Sequence, residues 1–198
     1  MEKTLVLATN NKDKVKEYRD MLEPIGYKVL TLKDLNISVN PDETGTTYGE
    51  NAYIKCKAVA ELVSYPVISD DSGIEICSLG HFPGIYSSRF VETECDGSYA
   101  KAFEEINKRL KDMDRKAEYH CAICFLENKN AKPLIFEGIC TGYILHELHG
   151  TGGFGYDPSF HCIENDKDFG LCSEEEKNSV SHRYKALTKF LEYLKTTL

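Results

Sequence analysis

The first half of the chain alternates two rhythms. Residues 4–9, TLVLAT, form an unbroken apolar run of the kind found in a strand covered on both faces. Residues 12–23 switch to helical spacing, with Val15, Tyr18 and Leu22 on one face. YKVLTL at 27–32 reads as a second strand, and 48–63 as a second helix with Ala52, Val59 and Leu62 or Val63 turned inward. A third strand, VISD, occupies 67–70. The turn-forming sequence Asp71-Ser72-Gly73 follows it, and 74–79, IEICSL, is expected to fold back and pair with that strand. Tyr99, Phe103, Ile106 and Leu110 mark a helix over 98–111. Strand-like stretches at 118–127 and 134–145 lie close enough for antiparallel pairing. Residues 146–180 are rich in Gly and charge, and a last helix covers 181–196. Alternating strands and helices followed by β-rich sequence predict an α/β fold with a mixed sheet.

The 198 residues are expected to form a single domain, 1–198, long enough to bury roughly 70% of the unfolded surface without disulfides or metals. The net charge of −8 argues against a general binder of nucleic acid or membrane surfaces, which would carry a basic face. Phosphates then require local Lys and Arg or a metal ion. No apolar run is long enough to span a membrane. The opening MEKTLVLATNNKDK turns polar too soon for a signal peptide, so a cytoplasmic location is expected. The eight cysteines are accordingly read as reduced thiols. Cys121 and Cys124 form a CxxC, but on a strand residues three apart point to opposite faces, which suits ordinary buried cysteines better than a zinc site. His146 and His149 read as surface or turn histidines.

Four polar clusters fall at ends of elements, where sites gather in α/β folds. Thr9, Asn11 and Lys14 lie between the first strand and first helix. Free N–H groups, the helix dipole and the side-chain donors there make either a phosphate cradle or an Asn-rich solvated turn. Asp70 and Asp71 are neighbours, so one can face a cleft while the other turns back to backbone or a helix end; the cleft-facing one could hold Mg2+, or the pair is a solvated turn. GTGGFGYDPSF, 150–160, spends four glycines, which suits a loop approached closely by a ligand. Its Phe154 and Tyr156 offer flat faces and Asp157 an acceptor; alternatively the aromatics dock on the core. In EKNSVSHRYKAL, 176–187, Ser181 is a good helix N-cap. His182 and Arg183 then sit in the first helical turn, where a cation opposes the dipole. A ligand explains that placement better than stability does, and Arg suits the paired acceptors O6 and N7 of a purine.

These stretches occur in order along the chain: Thr9-x-Asn11-x-x-Lys14, Ser69-Asp70-Asp71-Ser72-Gly73, Pro83-Gly84-Ile85-Tyr86-Ser87-x-Arg89, Gly153-Phe154-Gly155-Tyr156-Asp157-Pro158 and Glu176-Lys177-Asn178-x-x-Ser181-His182-Arg183. Together they resemble the inosine triphosphate pyrophosphatase family, over nearly the whole chain. The resemblance implies an elongated two-lobed α/β fold around a long mixed sheet with flanking helices and an active site in the cleft between lobes. It implies hydrolysis of the non-standard purine nucleotides ITP, dITP and XTP to monophosphate and pyrophosphate with Mg2+, which cleanses the nucleotide pool, and a homodimer. Carried over by motif, Thr9, Asn11 and Lys14 would hold the phosphates, and Asp71 would bind metal and activate water. Ser72 would touch the substrate, and Phe154, Gly155, Tyr156 and Asp157 would wall the base and sugar. Lys177, Ser181, His182 and Arg183 would close on the base. Glu43, in PDETG, matches a metal-ligating Glu, and Lys55 a phosphate-contacting Lys; a solvated turn and a solvated helix face are their plainer readings. The segment Asp168-Phe169-Gly170-Leu171-Cys172-Ser173 departs from the family's usual Thr-x-Ala-Glu/Asp-Met pattern. Two other readings stay open: a pyrophosphatase for another modified nucleotide, and a module that senses nucleotides without turnover. RNA binding is disfavoured by the acidic balance.

Overall fold

The computed structural model describes residues 3–197. The chain divides into two compact units, one running to Asp71 and including Ala122–Phe136, the other comprising Ser72–Cys121 and the chain from Glu137 onward.

In the first unit, strand β1 (Lys3–Leu7) lies parallel to β2 (Tyr27–Thr31), with Leu5 opposite Val29, and parallel to the start of β3 (Val67–Ile76), with Val6 opposite Val67. Leu5, Val6 and Leu7 are all buried, as the unbroken apolar run requires of a strand with neighbours on both sides. Helix α1 (Lys12–Leu22) starts at Asn11, whose side chain accepts from the N–H groups of Asp13 and Lys14. Helix α2 (Tyr48–Ala60) is capped in the same way by Thr47, which accepts from Glu50 N–H. Ala52, Cys56 and Val59 of α2 pack with Val6, Val67, Cys124 and Leu126, while Leu62 lies exposed beyond the helix and Val63 takes the inward place. Ser69 Oγ donates to Ala52 O at 2.6 Å and ties β3 to α2.

The second unit holds the rest of β3, β4 (Phe82–Pro83), α3 (Ser87–Glu94), α4 (Tyr99–Leu110) and parts of β5 (Lys116–Leu126) and β6 (Leu134–Ile144). It closes with β7 (Phe160–Cys162), β8 (Lys167–Asp168), α5 (Glu174–Val180) and α6 (His182–Thr197). Its core gathers Ile74 and Ile76, Phe103, Ile106 and Leu110 of α4, and Phe160 and Phe169. Each fully buried large apolar side chain stabilises the fold by about 1.5–3 kcal/mol. The strands form an eight-stranded sheet in the order β2-β1-β3-β5-β6-β7-β8, with β4 paired antiparallel to β3. Parallel pairs on β1 and antiparallel pairs β6–β7 and β7–β8 make it a mixed sheet, as expected.

The expected turn at Asp71-Ser72-Gly73 does not exist. Strand β3 runs straight through it, and 77–79 form a 3-10 turn instead of strand. Two adjacent carboxylates can stay in a strand interior here because lysines from α1 and α2 meet them. The short elements α3, α5, β4, β7 and β8 lie in stretches that carry no clear periodicity. Cys121 and Cys124 are buried in β5, and Cys124 belongs to the apolar cluster of the first unit. Among the described residues no helix is long and apolar enough to cross a membrane.

Candidate active site

The first unit places the sequence-predicted phosphate and metal residues on three adjoining elements. Thr9 and Asn11 form the turn before α1. Thr9 Oγ1 accepts from Asn11 N–H at 3.2 Å, and Asn11 Oδ1 is taken up as the helix cap. Both residues therefore shape the helix N-terminus, an anion-attracting position. Lys14, one turn on, reaches Asp70 with its ammonium 2.8 Å from Oδ2.

Asp71 is met from α2. Lys55 Nζ lies 3.0 Å from Asp71 Oδ1 and 2.9 Å from Glu43 Oε1, so the predicted metal pair, Glu43 and Asp71, converges on one cationic point. Asp70 and Asp71 are nearly buried, at 1% and 6% exposure. Here three carboxylates (Glu43, Asp70, Asp71) stand against two ammonium groups (Lys14, Lys55). Burial pushes the Asp71 carboxyl above its ordinary pKa, although Lys55 and Lys14 pull the other way; Glu43 adds to the rise. Burial likewise opposes the Lys55 ammonium, but Asp71, Asp70 and Glu43 together outweigh it and hold that pKa up. The cluster thus keeps an excess of negative charge, and its donors are hard oxygens.

Asn51 is the residue that sequence reasoning missed. It is 1% exposed, donates from Nδ2 to Asp71 Oδ2 at 3.3 Å and accepts from Gly45 N–H at 2.9 Å. It links the loop that carries Glu43 to Asp71, and it leaves no room for a side chain at Gly45, where a Cβ would meet Asn51 Oδ1 at 2.6 Å. Its spacing of four from Lys55 on a helix was the available signal. Asn51→Ala leaves two buried polar partners unmet. It is expected to cost about 1–3 kcal/mol of stability in urea unfolding and to lower turnover by misplacing Asp71.

The second unit assembles the remaining residues. Asp157, 2% exposed, accepts from Phe154 N–H and from Lys177 Nζ, both 2.7 Å from Oδ2, and from Tyr119 Oη at 3.2 Å on Oδ1. The carboxylate expected to offer an acceptor to the ligand is thus committed to folding its own loop. Gly153 (φ +68°) permits this, since a Cβ there would meet Asp157 Oδ2 at 2.0 Å. Tyr156 also differs from expectation: its ring is buried edge-on to Tyr99, and its hydroxyl donates to Ser87 O at 2.9 Å, so it belongs to the core and not to a wall for a base. Gly155 lies over Tyr99. Phe154 keeps a half-buried ring, with Lys177 Nζ 4.4 Å and Arg183 Cζ 5.8 Å from its centroid.

Ser181 ends α5 and caps α6, accepting from Tyr184 N–H at 3.1 Å. This fixes His182 and Arg183 in the first turn. His182 stacks on Tyr119 at 4.6 Å and 7°, a support with no signal in the apolar run EYHCAICFLE. Arg183, 1% exposed, donates from Nη2 to Ser72 Oγ at 3.0 Å. Phe154, Lys177, Arg183 and Ser72 are thereby gathered, two cations and a hydroxyl around one aromatic face.

One unit offers hard oxygen donors and ammonium groups, the other an aromatic face with cationic hydrogen-bond donors, which are the features of a phosphate-handling α/β protein. Residues 5–193 match the model of the Ham1 family, and the chain belongs to that family. It is 44% identical over 198 residues to a dITP/XTP pyrophosphatase of Leptospira interrogans, covering 99% of each chain. A dITP/XTP pyrophosphatase of Bacillus subtilis is 39% identical over 195 residues, 97% of each. Among solved structures, the Staphylococcus aureus Ham1 protein superimposes with a TM-score of 0.87 at 32% identity, covering 99% of this chain and 100% of that one. A HAM1 protein from Coxiella burnetii gives 0.88 at 33%, covering 98% and 99%.

Proposed function

We propose that the protein hydrolyses the non-standard purine nucleoside triphosphates ITP, dITP and XTP to the monophosphate and pyrophosphate, and so clears them from the nucleotide pool. The observation that carries this reading is the convergence of Glu43 and Asp71 on Lys55 beside the Lys14–Asp70 pair. The identity to dITP/XTP pyrophosphatases over almost the full chain agrees with it.

A divalent cation, Mg2+, fits the first cluster. Two carboxylates with excess negative charge suit an ion that takes its other ligands from water and phosphate. When bound, Mg2+ held by Glu43 and Asp71 supplies charge neutralisation at the polyphosphate. Lys14 and Lys55 bind phosphate oxygens and offset charge that develops on the departing pyrophosphate. Thr9, Asn11 and the N-terminus of α1 orient the phosphate chain. Asp71 orients water and takes its proton. Asp70 holds Lys14 in place. In the second unit Arg183 and His182 donate to a purine O6, and Phe154 stacks on the ring. An adenine amino group would place a donor against a donor, which such a site rejects. Ser72 orients Arg183, and Lys177 with Asp157 fixes the loop behind Phe154. The same reading carries two further expectations: a homodimer, from the family resemblance, and a cytoplasmic location, in keeping with eight free thiols.

The products test this reading. Phosphorus NMR of an XTP digest is expected to show the monophosphate and pyrophosphate in equal amounts. Orthophosphate and a diphosphate as the first products would refute it.

A further inference from the structure

The Gly-rich loop that carries Phe154 and Asp157 is anchored at its base by two histidines that share one carboxylate. His149 Nδ1 lies 2.7 Å from Asp168 Oδ2, and His161 Nδ1 lies 2.6 Å from Asp168 Oδ1. His149 stands immediately before the loop, His161 on β7 just after it, and Asp168 on β8. The backbone is packed equally closely there. Gly152 N–H donates to Gly170 O and His149 N–H to Pro158 O, both at 2.8 Å. A Cβ at Gly150 would meet Gly170 O, and one at Gly170 would meet His149 O, each at 2.0 Å. Asp168 to Gly170, the start of the segment 168–173 that departs from the family pattern, is therefore the floor on which the loop rides.

We propose that Asp168 is a positioning residue for base recognition: through His149 and His161 it clamps the loop 150–158 and so sets the place of Phe154 and of the Asp157–Lys177 pair. Its bearing on catalysis rests on the role proposed above for that loop; the clamp itself does not.

The clamp responds to pH. The hydrogen bond to Asp168, then that to Glu147, holds the His149 imidazole above its ordinary pKa of 6.5. Burial works against the Asp168 carboxylate, but His149 and His161 outweigh it and hold its pKa below the ordinary 3.8. The other groups facing these rings are Glu147 beside His149, Asp166 3.3 Å from His161 Nε2, and the Tyr143 ring of β6 stacked on His161 at 4.5 Å. Lys167, next to Asp168, is paired with Glu176 of α5. A raised histidine contributes stability that is full below its ordinary value and is lost as pH rises through its folded value. A lowered carboxyl contributes stability that is full above its ordinary value and is lost as pH falls through its folded value. The clamp is therefore tightest from about pH 4 to about pH 6.5 and loosens above.

Wild type, Asp168→Asn and His149→Gln, each as the full chain, separate the possibilities; His149→Gln leaves β7–β8 intact should Asp168→Asn fold poorly. In wild type, KM for ITP is expected to rise between pH 6 and 8. In both variants it is expected to be raised about fivefold already at pH 6, the worth of one hydrogen bond, with kcat within about twofold and no further step with pH. Hydrogen exchange of the Gly152 amide is expected to quicken by about fivefold to tenfold in both. Unchanged Gly152 exchange in both variants would overturn the clamp. Faster exchange with unchanged KM would overturn its role in recognition. Faster exchange in variants of an enzyme that turns over no purine triphosphate would refute the function proposed above and leave the clamp standing.

Discussion

Asp71→Asn is expected to lower turnover of ITP and XTP by about a hundredfold to ten-thousandfold, the range for loss of a group that takes a proton in the transition state. Nucleotide binding is expected to stay measurable, because Lys14, Lys55 and the second unit's donors remain. The substitution keeps the side chain's shape and can keep the bond from Lys55, but its amide nitrogen then meets the Asn51 Nδ2 donor, so one hydrogen bond is lost. Burial already disfavours the Asp71 charge, so the expected stability loss is confined to that one hydrogen bond, about 0.5–1.5 kcal/mol. Thermal unfolding close to that of wild type, with turnover lost, would assign the defect to chemistry. Near-normal turnover with Mg2+ present would remove Asp71 from the mechanism and leave its burial beside Asp70 unexplained.

Arg183→Ala is expected to reduce kcat/KM for ITP by tenfold to over a hundredfold, which is about 1.5–3 kcal/mol for a hydrogen bond from a charged donor. Turnover of ATP, which has no O6 to accept from Arg183, is expected to change much less, so the ITP/ATP ratio narrows. The variant also loses stability, because Arg183 is almost fully buried and packs near Phe154. The ratio is insensitive to a loss of folded fraction, which lowers both activities alike. An unchanged ITP/ATP ratio would show that base choice lies elsewhere. Guanine shares O6 with hypoxanthine, so rejection of GTP must act at the 2-amino group, a separate property from the one Arg183 controls.

The elements with strong rhythm were legible. The unbroken run in β1, the helical spacing of α1, α2 and α4, and the paired stretches that became β5 and β6 all carry their burial pattern in the sequence. Failure came where local preference and tertiary charge disagree. Asp71-Ser72-Gly73 is good turn sequence, yet Lys14 and Lys55 neutralise the two carboxylates and β3 continues. Helix α5 starts on a Ser173/Glu176 capping box but went unread, because it is only seven residues long and lies in a charged stretch. Most candidate site residues could be named from motif spacing, while their partners could not. Asn51 and Tyr119 act through distances of the folded chain; Asn51 is marked only by its spacing of four from Lys55, and Tyr119 by nothing. The sequence marks Asp157 and Tyr156 but not the bonds the structure gives them, Asp157 to Phe154 N–H and Lys177 and Tyr156 to Ser87 O, because sequence alone does not tell a ligand's acceptor from a loop's own anchor. His149 read as an ordinary turn histidine, since its carboxylate lies 19 residues away.

The central claim is that this chain cleaves non-standard purine triphosphates with a divalent metal. The most direct test is kcat/KM for pyrophosphate release from ITP, XTP, GTP, ATP and dTTP, each with Mg2+ and with EDTA. Fast release from ITP and XTP that EDTA abolishes is expected, with GTP, ATP and dTTP largely spared. Binding of ITP without release from any nucleotide would contradict it and make the protein a sensor.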